Sequence, residues 1–162
     1  GNSLVEDDKM ELSLKILERA KEENVKVHLP IDVISADSFS EFASTEINMA
    51  DSIADGWMGL DAGPKTNKLF EEVILESKTI LWNGPVGVFE LEPFATGTKS
   101  LGNAIAEATK QGAFSLGGGG DSVAAATQFN LDKKMSYVST GGGAMLEMLE
   151  GKTLPGIQAI LD

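Results

Sequence analysis

Three times in this chain a short apolar run of strand length ends in a glycine-bearing turn and gives way to apolar residues at helical spacing. Residues 79–82 run into Asn83-Gly84-Pro85-Val86-Gly87-Val88-Phe89-Glu90, residues 113–116 into Gly117-Gly118-Gly119-Gly120-Asp121-Ser122, and residues 136–139 into Thr140-Gly141-Gly142-Gly143-Ala144. Strands that alternate with amphipathic helices imply a parallel, doubly wound α/β sheet with crossover helices on its faces. In such sheets the ligand sits at the carboxyl ends of the strands, so the three turns are expected to converge on one edge.

The rest of the chain is read by period. Met10, Leu14 and Leu17, with Ile16 and Ala20 beside them, predict a helix over 7–24 whose N-terminal end carries Asp7 and Asp8. Alternation at Val25, Val27 and Leu29 predicts a strand stopped by Pro30, and residues 32–36 a second short extended piece. His28 falls on the polar phase of that strand and reads as a surface or hydrogen-bonded residue rather than a catalyst. Residues 37–63 show no clear periodicity and read as a long irregular connection, a length uncommon outside functional loops. Pro64 suits the first turn of a helix with Leu69, Phe70, Val73 and Ile74 on its apolar face. Further helices are expected over 93–111, packed through Leu101, Ala104, Ile105 and Ala108, then over 121–129 and 144–150.

Composition narrows the ligand. A chain of 162 residues with 42% apolar content is enough for one compact domain. Its net charge of −12 sets it against nucleic acid and anionic membranes, so any phosphate must be held locally. Without cysteine there is no disulfide, thiolate metal site or thiol nucleophile, and a single histidine cannot build a histidine cluster, which fits an intracellular protein. No apolar run approaches the roughly 20 residues of a membrane span.

Each glycine turn carries its own chemistry. Glycines 117–120 let a backbone approach a phosphate closely, the following helix start offers unpaired N–H groups, and Asp121 there can hold Mg²⁺ on phosphate oxygens. A plain strand-to-helix turn with Asp121 as N-cap is the competing reading, although four consecutive glycines exceed what a cap requires. The turn at 139–144 repeats the device, and two anion-receptive helix starts on one edge suit a ligand with more than one phosphate or a phosphate in transit. In the turn at 83–90, Val88 and Phe89 offer apolar surface for a base and Glu90 an acceptor for ribose hydroxyls; the same residues read equally as a buried loop whose valines are core.

Two matches are set aside. Glu150-Gly151-Lys152-Thr153 resembles the end of a phosphate-loop motif, but Leu146 stands where that motif needs glycine. None of the turns satisfies the G-x-G-x-x-G fingerprint of dinucleotide folds. Met145, Leu146, Met148 and Leu149 are expected to be core at helical spacing.

The strings Leu81-Trp82-Asn83-Gly84-Pro85-Val86-Gly87-Val88-Phe89-Glu90, Gly118-Gly119-Gly120-Asp121-Ser122 and Val138-Ser139-Thr140-Gly141-Gly142-Gly143-Ala144 resemble segments of phosphoglycerate kinase in order and spacing. So do Gly56-Trp57-Met58-Gly59-Leu60-Asp61-Ala62-Gly63-Pro64 and Leu149-Glu150-Gly151-Lys152-Thr153-Leu154-Pro155-Gly156. The resemblance implies a Rossmann-like nucleotide-binding domain over 1–162, incomplete at its N-terminal end and lacking the substrate-binding domain that precedes it in the family. It implies reversible phosphoryl transfer between 1,3-bisphosphoglycerate and MgADP, giving 3-phosphoglycerate and MgATP in glycolysis, and an inactive piece when this part stands alone. A nucleotide-binding module without catalysis and an inert structural fragment are the alternatives. Carried over by position, Gly59 and Leu60 line the adenine slot, Asn83, Pro85 and Val88 border the nucleotide, and Glu90 takes the ribose hydroxyls. Gly119, Gly120, Asp121 and Ser122 contact the phosphates, with Asp121 the Mg²⁺ ligand, and Gly142 and Gly143 aim N–H groups at the phosphoryl group in flight. The implied partners are ADP or ATP and, through the absent domain, phosphoglycerate. The implied setting is a cytoplasmic monomer when intact, and the strand at 25–29 is expected to leave an exposed sheet edge for want of its neighbour.

Overall fold

The computed structural model describes residues 1–161, with side chains to residue 160. Its organising element is a parallel three-stranded sheet in the order β4 (Thr79–Asn83), β5 (Phe114–Gly118), β6 (Tyr137–Val138). The crossovers that parallel pairing requires are α3 (Thr96–Lys110) and α4 (Gly120–Gln128), and α2 (Pro64–Glu76) packs along α3. Ile80 and Trp82, on alternate positions of β4, face these helices. Trp82 joins Ile105 of α3, Ala125 and Ala126 of α4, and Leu131 in the main buried cluster. Leu81, Phe114 and Tyr137 are exposed.

A second sheet was not legible beforehand. Residues 37–63, expected to be irregular, supply β2 (Thr45–Met49) and β3 (Met58–Ala62), which flank β1 (Asp32–Ala36) antiparallel in the order β2-β1-β3. Asp37 closes the β1–β2 hairpin: its Oδ1 accepts from the Ser44 N–H at 3.0 Å and the Ser38 hydroxyl at 3.2 Å. Asn48 Nδ2 then donates to Ser35 Oγ at 2.6 Å across the pair. On the other side, Gly59 lies opposite Ser35 and Asp61 opposite Ile34, so Leu60 is a β-bulge. A bulge turns successive side chains out of strict alternation, which is why Leu60, Asp61 and Ala62 are all buried. Leu60 packs with Ala36 and Phe94 in a second buried cluster.

The expected strand at 25–29 does not form. The segment has no regular secondary structure, and Val25, Val27 and Leu29 are exposed. Alternation specifies which way side chains point, whereas a strand exists only where a neighbouring strand takes its backbone hydrogen bonds; here the Val25 N–H instead donates to the Ala20 carbonyl at 2.7 Å, at the end of α1. His28 is half-buried beside Phe70, Ile80 and Trp82, bordering a cavity of about 270 Å³. The helix predicted over 7–24 is a 3₁₀ turn, Asp7–Lys9, followed by α1 (Met10–Glu22), but its apolar stripe is not covered and none of its residues is buried.

The helices after the glycine turns start earlier than expected, α4 at Gly120 rather than Asp121 and α5 (Gly142–Leu149) at Gly142 rather than Ala144. The last element is α6 (Pro155–Leu161).

Candidate functional site

Register brings the turns together. Asn83 pairs with Gly118 across β4 and β5, and Gly117 with Val138 across β5 and β6, so all three strands deliver their turns to the same edge. There the turn at 139–144 touches the turn at 117–122 backbone to backbone. A Cβ placed on Gly142 would lie 2.3 Å from the Gly119 nitrogen and 2.5 Å from its Cα, a distance only a glycine permits. Gly119 itself has φ +89°, a conformation that side-chain-bearing residues rarely adopt, and this turn swings the chain from β5 into α4. The first-turn amides of Gly120, Asp121, Gly142 and Gly143 have no acceptors within their own helices. The paired helix starts therefore form a cradle of N–H donors with the favourable ends of two helix dipoles.

The turn at 83–90 is fastened to this cradle. The Gly84 N–H donates to Ser122 Oγ at 2.5 Å, Trp82 Nε1 donates to the Gly84 carbonyl at 2.8 Å, and Asn83 Oδ1 lies 2.6 Å from where a Cβ on Gly119 would be. Ser122 is 1% exposed, so its hydroxyl acts in this structure as a strut between the turns. Further along, the Val88 N–H donates to the Leu60 carbonyl at 2.9 Å and joins the turn to β3. Of the residues expected to border a nucleotide, Asn83 and Glu90 are exposed, and Pro85, Val88 and Gly59 are half-buried. The Leu60 side chain is core, which leaves its backbone and Gly59 to line a slot. Gly59 N–H donates to Ser3 Oγ at 3.0 Å, placing the first residues of the chain along the outer edge of β3. The expectation that Phe89 offers surface to a base is not met: it is 3% exposed, edge-on to Phe129 with ring centroids 6.2 Å apart. Within the turn Phe89 is core, Val86 and Val88 are half-buried, and Asn83 and Glu90 are open to solvent.

Asp121 stands exposed in the first turn of α4. Among the described residues no group of three His, Cys, Asp or Glu side chains could hold a metal ion. One carboxylate beside a phosphate cradle nonetheless fits Mg²⁺, which keeps several waters and takes its other ligands from phosphate oxygens.

The family model for phosphoglycerate kinase matches residues 1–152. The chain belongs to the phosphoglycerate kinase family. It is 56% identical over 160 residues to the phosphoglycerate kinase of Chloroherpeton thalassium and 52% identical over 163 residues to that of Schistosoma mansoni, covering 99% and 100% of this chain. It covers 40% and 39% of those relatives, so it spans about two fifths of their length. Among solved structures, phosphoglycerate kinase from Coxiella burnetii superposes with a TM-score of 0.92 at 45% identity, over 98% of this chain and 40% of that one. The Pyrococcus horikoshii phosphoglycerate kinase gives 0.70 at 29% identity, over 94% and 38%. The α/β fold with its parallel sheet is therefore that of the phosphoglycerate kinase family.

One buried acidic residue beside the site was missed by sequence reasoning. Asp61 is 3% exposed, and burial pushes its carboxyl up from 3.8 to about 6 against the opposing pull of the Gly97 and Ala62 amides. A single acid inside the short apolar run Met58-Gly59-Leu60-Asp61-Ala62 was the available signal. Its partner Gly97 is 36 residues away, beyond the reach of any local pattern.

Proposed function

We propose that this chain supplies the nucleotide-binding part of a phosphoglycerate kinase acting on ADP and ATP, and that the intact protein moves a phosphoryl group between 1,3-bisphosphoglycerate and MgADP. The contact of Gly142 with Gly119 carries this reading, because it joins two helix N-termini into one anion-binding surface large enough for neighbouring phosphates.

In the direction of ATP formation, a terminal phosphate oxygen of ADP attacks the phosphorus of the acyl phosphate, and the bond to the carboxylate oxygen of 3-phosphoglycerate breaks. Gly119, Gly120, Asp121 and Ser122 hold the nucleotide phosphates, Ser122 by fixing the turn. The Gly142 and Gly143 amides face the transferring group, whose spread negative charge they stabilise without a side-chain nucleophile. Asp121 would hold Mg²⁺, which would supply charge neutralisation to the phosphates when bound. The nucleoside lies along Gly59, Leu60, Asn83, Pro85 and Val88, with Glu90 toward the ribose.

The phosphoglycerate needs a basic cradle, and a chain with 13 basic against 25 acidic residues presents a net field that repels such an anion. Turnover therefore requires the remaining residues of the longer protein, and the 162-residue chain binds without turning over. Its setting is the cytoplasm, and the intact enzyme is a monomer.

The test is calorimetric titration of the chain with ADP, with and without Mg²⁺, alongside Asp121→Ala. Binding strengthened by Mg²⁺ in the wild type and not in the variant is the expected result. A folded chain that takes up no MgADP, or an Asp121→Ala chain with an unchanged response to Mg²⁺, contradicts the assignment.

A further inference from the structure

Asp61 sits where three separate pieces of the candidate nucleotide site meet. It belongs to β3, directly after the bulged Leu60 and two residues past Gly59. Its Oδ2 accepts the Gly97 N–H in the first turn of α3 at 2.7 Å, and its Oδ1 accepts the Ala62 N–H at 2.9 Å. Gly97 and Gly87 close over it: a Cβ on either would fall 2.3 Å and 2.0 Å from Oδ1. Gly87 lies in the turn that carries Pro85, Val88 and Glu90, and the neighbouring Val88 N–H is bonded to the Leu60 carbonyl. A buried carboxylate is costly unless its oxygens are satisfied, and here the donors come from a strand and a helix start that are distant in sequence. The bulge at Leu60 makes the arrangement possible, since strict alternation would not bury both Leu60 and Asp61.

We infer that Asp61 is a positioning residue for the nucleoside side of the site: by pinning β3 to the start of α3 beneath the turn at 83–90, it sets the separation between Gly59-Leu60 and Pro85-Val88. This rests on the nucleotide reading given above. Asp61 is 3% exposed and covered by Gly87 and Gly97, so it acts on the site through the backbone it fastens. The structure thus divides the site into a nucleoside half, whose width depends on Asp61, and a phosphate half, whose shape depends on glycine packing.

The experiment compares wild type and Asp61→Asn for binding of adenosine, MgADP and Mg-pyrophosphate, with amide resonances followed in the wild type. Asparagine keeps the shape but can accept at only one oxygen, so adenosine and MgADP are expected to bind about tenfold more weakly. Mg-pyrophosphate is expected to bind with little change, which a general loss of stability would not allow. In the wild type, adenosine is expected to shift the Gly97 N–H resonance, and pyrophosphate is not. Equal weakening of all three ligands, unchanged adenosine binding by the variant, or a Gly97 amide indifferent to adenosine overturns the inference. Should Asp61→Asn not fold, the wild-type resonances decide alone. A wild type that binds none of the three overturns the nucleotide reading itself.

Discussion

Gly142→Ala and Gly143→Ala should differ sharply although the residues are adjacent and both stand in the first turn of α5. A methyl on Gly142 meets the Gly119 nitrogen at 2.3 Å and its Cα at 2.5 Å, whereas ordinary contact begins at 3.4 Å. Both obstacles are backbone, so no rotamer change relieves them, and the two turns must part by about 1 Å. Overpacking of this kind costs about 1–3 kcal/mol. If that cost falls on the assembled cradle, MgADP affinity drops about 5- to 150-fold. A methyl on Gly143 meets nothing within 4 Å and leaves the amide in place. Its effect should stay within about 0.5 kcal/mol, or roughly twofold in affinity. Calorimetric titration of the two variants, with thermal melts to follow stability, separates them. Equal losses from both substitutions, or an unimpaired Gly142→Ala, would refute the reasoning that contact between the turns builds the site.

Other outcomes follow from the same contacts. Ser122→Ala removes the acceptor of the Gly84 N–H, so stability should fall by about 1–2 kcal/mol in urea titration, with MgADP binding reduced as well. Asp32 is 1% exposed; burial alone would raise its carboxyl, but the Thr66 and Lys65 amides and the Thr66 hydroxyl outweigh this and hold it below 3.8. Its contribution is present above pH 3.8 and lost as pH falls through the lowered value, and Asp32→Ala should cost about 2 kcal/mol by uncapping α2. Asp61 acts in the opposite sense. With its carboxyl raised from 3.8 to about 6, the native state favours the protonated form, so stability should decline by about 3 kcal/mol as pH rises from 3.8 to 6. Asp61→Asn should flatten that slope in urea unfolding across the same range; an unchanged slope would remove Asp61 as its source.

The parallel sheet was legible because three independent signals agreed over 79–149: strand-length apolar runs, glycines at their ends and helical spacing after them. The antiparallel sheet was not, because Thr45-Glu46-Ile47-Asn48-Met49 is polar and mostly exposed, and its pairing is decided by hydrogen bonds to β1 rather than by its own pattern. Residues 25–29 failed in the reverse direction, having the pattern without forming a strand. At the site, the glycine cradle could be read from composition and position, since no other residue permits such close approach. Ser122 was readable as a member of the turn but not as a strut, because Gly84 lies 38 residues away. Asp61 was hidden for the same reason, its function being created by a bulge and by a helix start that only the folded chain brings near.

The most direct test of the account is amide resonance mapping of the wild-type chain during titration with MgADP. The predicted result is perturbation concentrated at Gly119, Gly120, Asp121, Gly142 and Gly143, with a second set at Gly59, Leu60 and Val88. Perturbations confined to other surfaces, or none at saturating nucleotide in a folded chain, would contradict the claim that the paired glycine turns form the nucleotide site.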